Sequence, residues 1–261
     1  MAGPRRLTER RGWAFSLAVG IVKPLLLLLT HRRWVDGHCI PSYGGAVIAA
    51  NHVSHLDPLT FAHFLYDQGR LPRYLAKAVL FDIFFVGTIL RSTGQIPVHR
   101  LSEDASQAFS SAVEAVRRGR LVVVYPEGTL TRQPELWPMR GRTGAARIAL
   151  SAGVPVIPVA QWGAQDILYP YTTRPRLLPR KTVQAKAGPE VYLDDLRDRP
   201  ITPELLREAT DRIMDAVTRL LEDIRAEAAP TERFDPRQSG LRPIGNPHGP
   251  RSRHRVRRRT R

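Results

Sequence analysis

The chain has 261 residues, 43% hydrophobic and only 7% aromatic, enough for one compact domain with a real core and short appendages. A single cysteine, Cys39, excludes an internal disulfide framework and any all-cysteine metal site. The net charge of +16 comes from 40 basic against 24 acidic residues. Only Lys23, Lys77, Lys181 and Lys186 of the basic residues are lysine, so the excess is carried by arginine.

Trp13 to Thr30 is apolar apart from Ser16, Lys23 and the Gly20 and Pro24 breaks, and arginines flank it on both sides. The run is marginal for spanning a bilayer and lacks a cleavage-site pattern. It predicts a helix lying in the membrane interface, with Lys23 snorkelling and Trp13 and Trp34 at headgroup level. A buried first helix of the domain is the alternative. Residues 1–35 are thus expected to form a membrane-associating segment ahead of a catalytic domain over 36–229.

From Gly44 onward short apolar runs alternate with helix-like stretches. Strands are predicted at Ala46–Ala50, Tyr74–Ala76, Gln95–Val98, Leu121–Tyr125 and Val154–Ala160. Helices are predicted at Ser102–Gly119, Gly144–Ala152 and Thr202–Ala228, the last opened by Pro203. Val79–Leu90 is apolar enough for either an acyl slot or a core helix. Such alternation predicts an α/β fold with a largely parallel sheet flanked by helices.

Residues 230–261 carry ten arginines, five prolines and almost no apolar side chain after Ile244. They are expected to form a disordered basic tail. Attraction to anionic lipid is one role for it. Nucleic-acid binding is not expected, because aromatic side chains are not interleaved with the arginines.

Four blocks carry chemistry. The run Asn51-His52-Val53-Ser54-His55-Leu56-Asp57-Pro58 follows the first predicted strand, where open α/β sheets keep their sites. A turn there lets Asp57 reach back to one nitrogen of His52 and leaves the other for substrate, the parts of an oriented general base. His55 is read as structural. Gly94 to Arg100 forms a strand ending in a guanidinium suited to phosphate. Tyr125-Pro126-Glu127-Gly128-Thr129-Leu130-Thr131 offers a glycine and two hydroxyls after another strand, and Lys77 ends a further strand as a second phosphate candidate. Val154 to Ala160 is a proline-interrupted apolar strand. No Gly-x-Ser-x-Gly elbow and no metal-ligand spacing occur in the chain.

In this order and spacing the blocks resemble the glycerolipid acyltransferases, specifically the bacterial 1-acylglycerol-3-phosphate acyltransferase family. Asn51, His52, Ser54 and Asp57 carry the first block, Gly94, Ile96, Val98 and Arg100 the second. Pro126, Glu127, Gly128 and Thr129 carry the third, and Val156, Ile157 and Pro158 the fourth. The resemblance implies the glycerol-3-phosphate acyltransferase-like fold. It implies transfer of an acyl chain from acyl-CoA or acyl carrier protein to the sn-2 hydroxyl of lysophosphatidate, with no cofactor and no metal. It puts Arg100, Glu127, Gly128 and Thr129 around the acceptor's glycerol phosphate, with Glu127 bonding the glycerol or bracing the basic groups. An anionic membrane surface is the expected partner, and the cytoplasmic face of the cell membrane the expected location. One position departs: where the family's third block continues with arginine, this chain has Leu130, and Arg132 follows two places later. Other readings are the same chemistry on a glycolipid or another lysophospholipid, and a non-catalytic basic protein that binds membrane or nucleic acid.

Overall fold

The computed structural model describes residues 4–98, 105–240 and 246–247. Along the chain run helix α1 (Trp13–Leu29), strands β1 (Thr30–Val35) and β2 (Ala46–Ala50), helix α2 (Asp57–Asp67) and strand β3 (Pro72–Lys77). Then follow α3 (Phe84–Ser92), β4 (Ile96–Val98), α4 (Ala105–Arg117), β5 (Leu121–Val124), α5 (Gly144–Ala152) and β6 (Val156–Trp162). Helix α6 (Ala164–Ile167), strand β7 (Lys181–Ala187), helix α7 (Asp194–Arg197) and helix α8 (Pro203–Arg225) complete the fold.

The strands form one sheet in the order β1-β7-β6-β2-β5-β3-β4. Every neighbouring pair is parallel except β6 with β7. The expected α/β class therefore holds, with two unforeseen strands, β1 and β7, at one edge.

Helices cover both faces, which is why β2 is buried at all five positions. Its period-2 alternation sends Ala46, Ile48 and Ala50 to a core shared with Phe61, Phe64 and Leu65 of α2. Val47 and Ala49 face the opposite core, built with Ala112 and Val116 of α4, Ile148 of α5 and Ile213 and Val217 of α8. Helix α8 starts where its cap predicts: Thr202 Oγ1 accepts the Leu205 N–H at 3.2 Å, with Pro203 in the first turn. Helix α5 stops at Gly153, whose positive φ of 67° closes the last turn. Trp137 and Trp162 both pack against the Arg225 guanidinium, 3.9 and 4.5 Å from their ring centres.

Helix α1 lies against α2 and α3, and no described helix is long and apolar enough to cross a membrane. Trp13, Leu17, Ile21, Leu25 and Leu28 form an exposed apolar stripe along it. Lys23 does not snorkel outward. Its ammonium pairs with the buried Asp67 carboxylate at 2.7 Å. Trp34 also turns inward, donating to Asp67 Oδ2 at 3.0 Å and packing edge-on against His63 and Phe64. The run 79–90 is a 3-10 turn followed by α3, and it is no core helix. Val79, Leu80, Ile83, Phe84 and Phe85 are exposed, the two phenylalanines at 77% each.

Residues 231–240, read from composition as the start of a disordered tail, make defined contacts with α8 and with Arg140. The rest of that segment lies outside the described residues except 246–247.

Candidate active site

Because β2, β3, β5 and β6 are parallel, their carboxyl ends meet at one end of the sheet. The loop after β2 carries His52. Helix α2 begins at Asp57 without a side-chain cap, because that carboxylate turns back into its own loop. Its Oδ2 accepts from the Val53 N–H at 2.6 Å, the Ser54 N–H at 2.9 Å and His52 Nδ1 at 2.8 Å. Two backbone donors thus fix the carboxylate independently of the ring. With Nδ1–H pointing at Asp57, the tautomer assigned by this network leaves the lone pair on Nε2. The reach-back contact expected from the sequence is present.

The imidazole stacks on Tyr125, 4.1 Å between ring centres and 13° from parallel. Asp57 is fully buried and the His52 side chain 16% exposed, so the free nitrogen is reachable while its partner is shielded from water. Asn51 clamps the ends of β2 and β6 together through three hydrogen bonds with Gln161, between 2.7 and 3.0 Å. Ser54 Oγ donates to Leu168 O at 2.7 Å and ties the loop to the segment after α6.

The loop after β5 grips the same histidine from below. Glu127 Oε1 accepts the His52 N–H at 3.0 Å, Glu127 Oε2 accepts the Met139 N–H at 3.0 Å, and the Thr131 N–H donates to His52 O at 2.8 Å. Glu127 is therefore a positioning residue that braces two loops. Burial pushes its carboxyl up to about 8, against the opposing pull of its two backbone donors. Gly128 sits at φ 71°, a conformation that favours glycine, and the Arg142 side chain lies close over it. Thr129 Oγ1 lies 3.4 Å from Tyr171 Oη.

A small cavity of about 80 Å³ opens beside these residues, bounded by Glu127, Thr129, Arg132, Arg142 and Arg207. Leu130, where the resembled pattern has arginine, is buried with its carbonyl accepting from Tyr171 Oη at 2.9 Å. Arg132 lies within reach of the same hydroxyl, 3.4 Å from Nε. Arg207 Nη1 donates to Gly141 O at 3.0 Å, which draws α8 onto the loop that carries Arg142.

His55 stands near both His52 and Lys77, and none of the three bounds the cavity. Partial desolvation, with nearby positive charge, lowers the His55 imidazole below its ordinary range even though much of the side chain stays accessible. His55 is exposed and meets the Tyr171 ring edge-on. Arg100, the expected phosphate ligand, lies outside the described residues. Arg142 and Arg207 were not anticipated, since only the tertiary fold brings them to Glu127. The described residues include no cluster of side chains able to hold a metal ion.

A largely parallel sheet thus carries a carboxylate-oriented histidine at its carboxyl end, and Glu127 links that loop to an arginine-lined cavity. Residues 32–162, half of the chain, match the Acyltransferase family, and the chain belongs to it. Over 148 residues it is 32% identical to a 1-acyl-sn-glycerol-3-phosphate acyltransferase from Salmonella typhimurium, covering 56% of this chain and 57% of that one. Over 128 residues it is 31% identical to the protein of the same name from Borreliella burgdorferi, covering 49% of each. The matched stretch thus spans about half the length of these curated relatives. The fold is shared with the crystal structure of the 1-acyl-sn-glycerophosphate (LPA) acyltransferase PlsC from Thermotoga maritima. The TM-score is 0.60 at 22% identity, over 82% of this chain and 81% of that one.

Proposed function

We propose that the protein moves a fatty acyl chain from acyl-CoA or acyl carrier protein to the sn-2 hydroxyl of 1-acylglycerol-3-phosphate, giving phosphatidate. The observation that carries this reading is the 2.8 Å His52–Asp57 contact, coupled through Glu127 to a cavity lined by arginines. His52 Nε2 takes the proton from the attacking hydroxyl while the hydroxyl oxygen adds to the thioester carbonyl. Asp57 stabilises the imidazolium so formed. Collapse of the tetrahedral adduct breaks the carbon–sulfur bond, and the departing thiolate takes the proton from His52. No acyl-enzyme, metal or cofactor enters the scheme.

Arg142 and Arg207 stand in for a phosphate grip, with Arg132 in place of the arginine that Leu130 displaces. Arg100, Gly128 and Thr129 remain assigned to the acceptor's glycerol phosphate by the family pattern, and Lys77, at the end of β3, is the second phosphate candidate. Glu127 acts through the loops it holds.

Access for lipid is supported by the exposed apolar residues of α1 and of the run after β3, which begins at the sheet end that carries His52. Those surfaces dock on an anionic membrane at its cytoplasmic face, α1 lying in the interface. The test is acylation of lysophosphatidate in liposomes with labelled acyl-CoA. Phosphatidate is the expected product, and Arg142→Ala raises the acceptor KM roughly tenfold or more, the worth of one charge-assisted hydrogen bond. Absence of phosphatidate, or an unchanged acceptor KM in that variant, contradicts the assignment.

A further inference from the structure

The arginine-lined cavity has a fourth wall that comes from beyond α8. After that helix the chain folds back, and three contacts hold it there. The Arg140 N–H donates to Phe234 O at 2.9 Å, Arg140 Nη1 pairs with Asp235 Oδ2 at 3.1 Å, and Arg233 pairs with Asp215 of α8 at 2.6 Å. Asp235 Oδ1 also accepts the Arg237 N–H at 2.9 Å, so one carboxylate latches the segment and shapes the turn that follows. The turn sets Pro236 and Arg237 on the cavity that Glu127, Thr129, Arg142 and Arg207 bound from the other side.

We infer that residues 231–240 are the closing wall of the acceptor pocket, and that Pro236 and Arg237 select acceptors whose phosphate is a terminal phosphomonoester. The inference rests on the acceptor reading above. Its physical basis is size and charge together. About 80 Å³ holds only a few water-sized groups, room for a phosphate, and an alcohol esterified to that phosphate on the side of Pro236 and Arg237 would meet the wall. A dianionic monoester presents three oxygens and can engage the Arg237 guanidinium while the arginines of the domain hold its other side. A phosphodiester has one charge fewer and carries its headgroup into the wall.

The experiment compares wild type, Arg237→Ala, Arg237→Lys and Asp235→Ala with lysophosphatidate and with lysophosphatidylglycerol, using one acyl-CoA. Arg237→Ala is expected to raise the lysophosphatidate KM about five- to tenfold while kcat changes less than twofold, with Arg237→Lys recovering part of the loss. Asp235→Ala is expected to narrow the preference for lysophosphatidate over lysophosphatidylglycerol by a similar factor. An unchanged acceptor KM and an unchanged preference overturn the inference. Glycerol 3-phosphate, titrated calorimetrically into wild type and Arg237→Ala, separates the two levels. A wild type that binds this headgroup but forms no phosphatidate refutes the proposed reaction alone. Equal binding by both proteins, or none by wild type, refutes the wall.

Discussion

One carboxylate oxygen organises the loop after β2. Asp57 Oδ2 accepts two backbone N–H groups and the His52 ring, so the same atom sets the loop's shape and the imidazole's tautomer. Asp57→Asn can keep an oxygen on the three donors, with its NH₂ at the unpartnered Oδ1 position, but it removes the charge that stabilises the imidazolium. The expected result is a kcat lower by about 10²–10⁴ with a stability loss of only about 1 kcal/mol, read by initial rates and by thermal unfolding. Glu127→Gln leaves one of two buried backbone donors facing an NH₂ group. It should cost about 1–3 kcal/mol in unfolding and lower kcat through the displaced His52 loop, and a variant as stable and active as wild type would remove Glu127's bracing role. The His52–Asp57 pair was legible in the sequence because both residues sit on one loop after one strand. Arg142 and Arg207 were not, because α8 and the loop before α5 converge only in the folded chain. Leu130 was legible as a departure, but its burial and the approach of Arg132 to Tyr171 were not.

At the scale of elements, α1 is joined to the domain by a buried polar knot. Asp67 at the end of α2 receives Lys23 from α1 and Trp34 from β1, and Arg32 Nη1 lies 3.4 Å from His63 Nε2. Burial lowers the His63 imidazole from 6.5 to about 4, outweighing the pull of Asp67, and Lys23 and Arg32 push the same way. The folded ring is therefore neutral near pH 7, whereas the unfolded ring protonates near 6.5. Its contribution is whole above about pH 6.5 and is lost as pH falls through about 4, some 3 kcal/mol in all. Thermal unfolding of wild type and His63→Gln between pH 7 and 4 checks this, the wild type losing more stability on acidification than the variant; parallel curves would exclude His63. The sequence hid β1 for a physical reason. Thr30–Val35 is half charged and aromatic because it forms the sheet's edge, where polar side chains are tolerated. Lys181–Ala187 did carry a readable signal: Val183, Ala185 and Ala187 point inward and alternate with polar residues. The three central helices were legible from their apolar spacing and their Gly or Pro punctuation.

Over the whole molecule, the apolar side chains that composition alone cannot distinguish from core lie outside. The stripe of α1 adjoins α3, and Arg180 ties the exposed Leu177–Leu178 loop to the end of α1 by donating to Leu27 O and Thr30 O. The proposed docking on a bilayer places these side chains against lipid. Phe84→Ser and Phe85→Ser should each weaken binding to anionic vesicles roughly tenfold, the worth of one buried ring, as read by co-sedimentation. Unaltered partitioning of the double variant would move the lipid contact elsewhere. The central claim is that His52 Nε2 removes the acceptor's proton. Its most direct test is the rate of phosphatidate formation by His52→Ala beside wild type, with lysophosphatidate and labelled acyl-CoA both saturating. A fall of at least about a hundredfold, with the fold intact by circular dichroism, is the result predicted; turnover within a few-fold of wild type would contradict it.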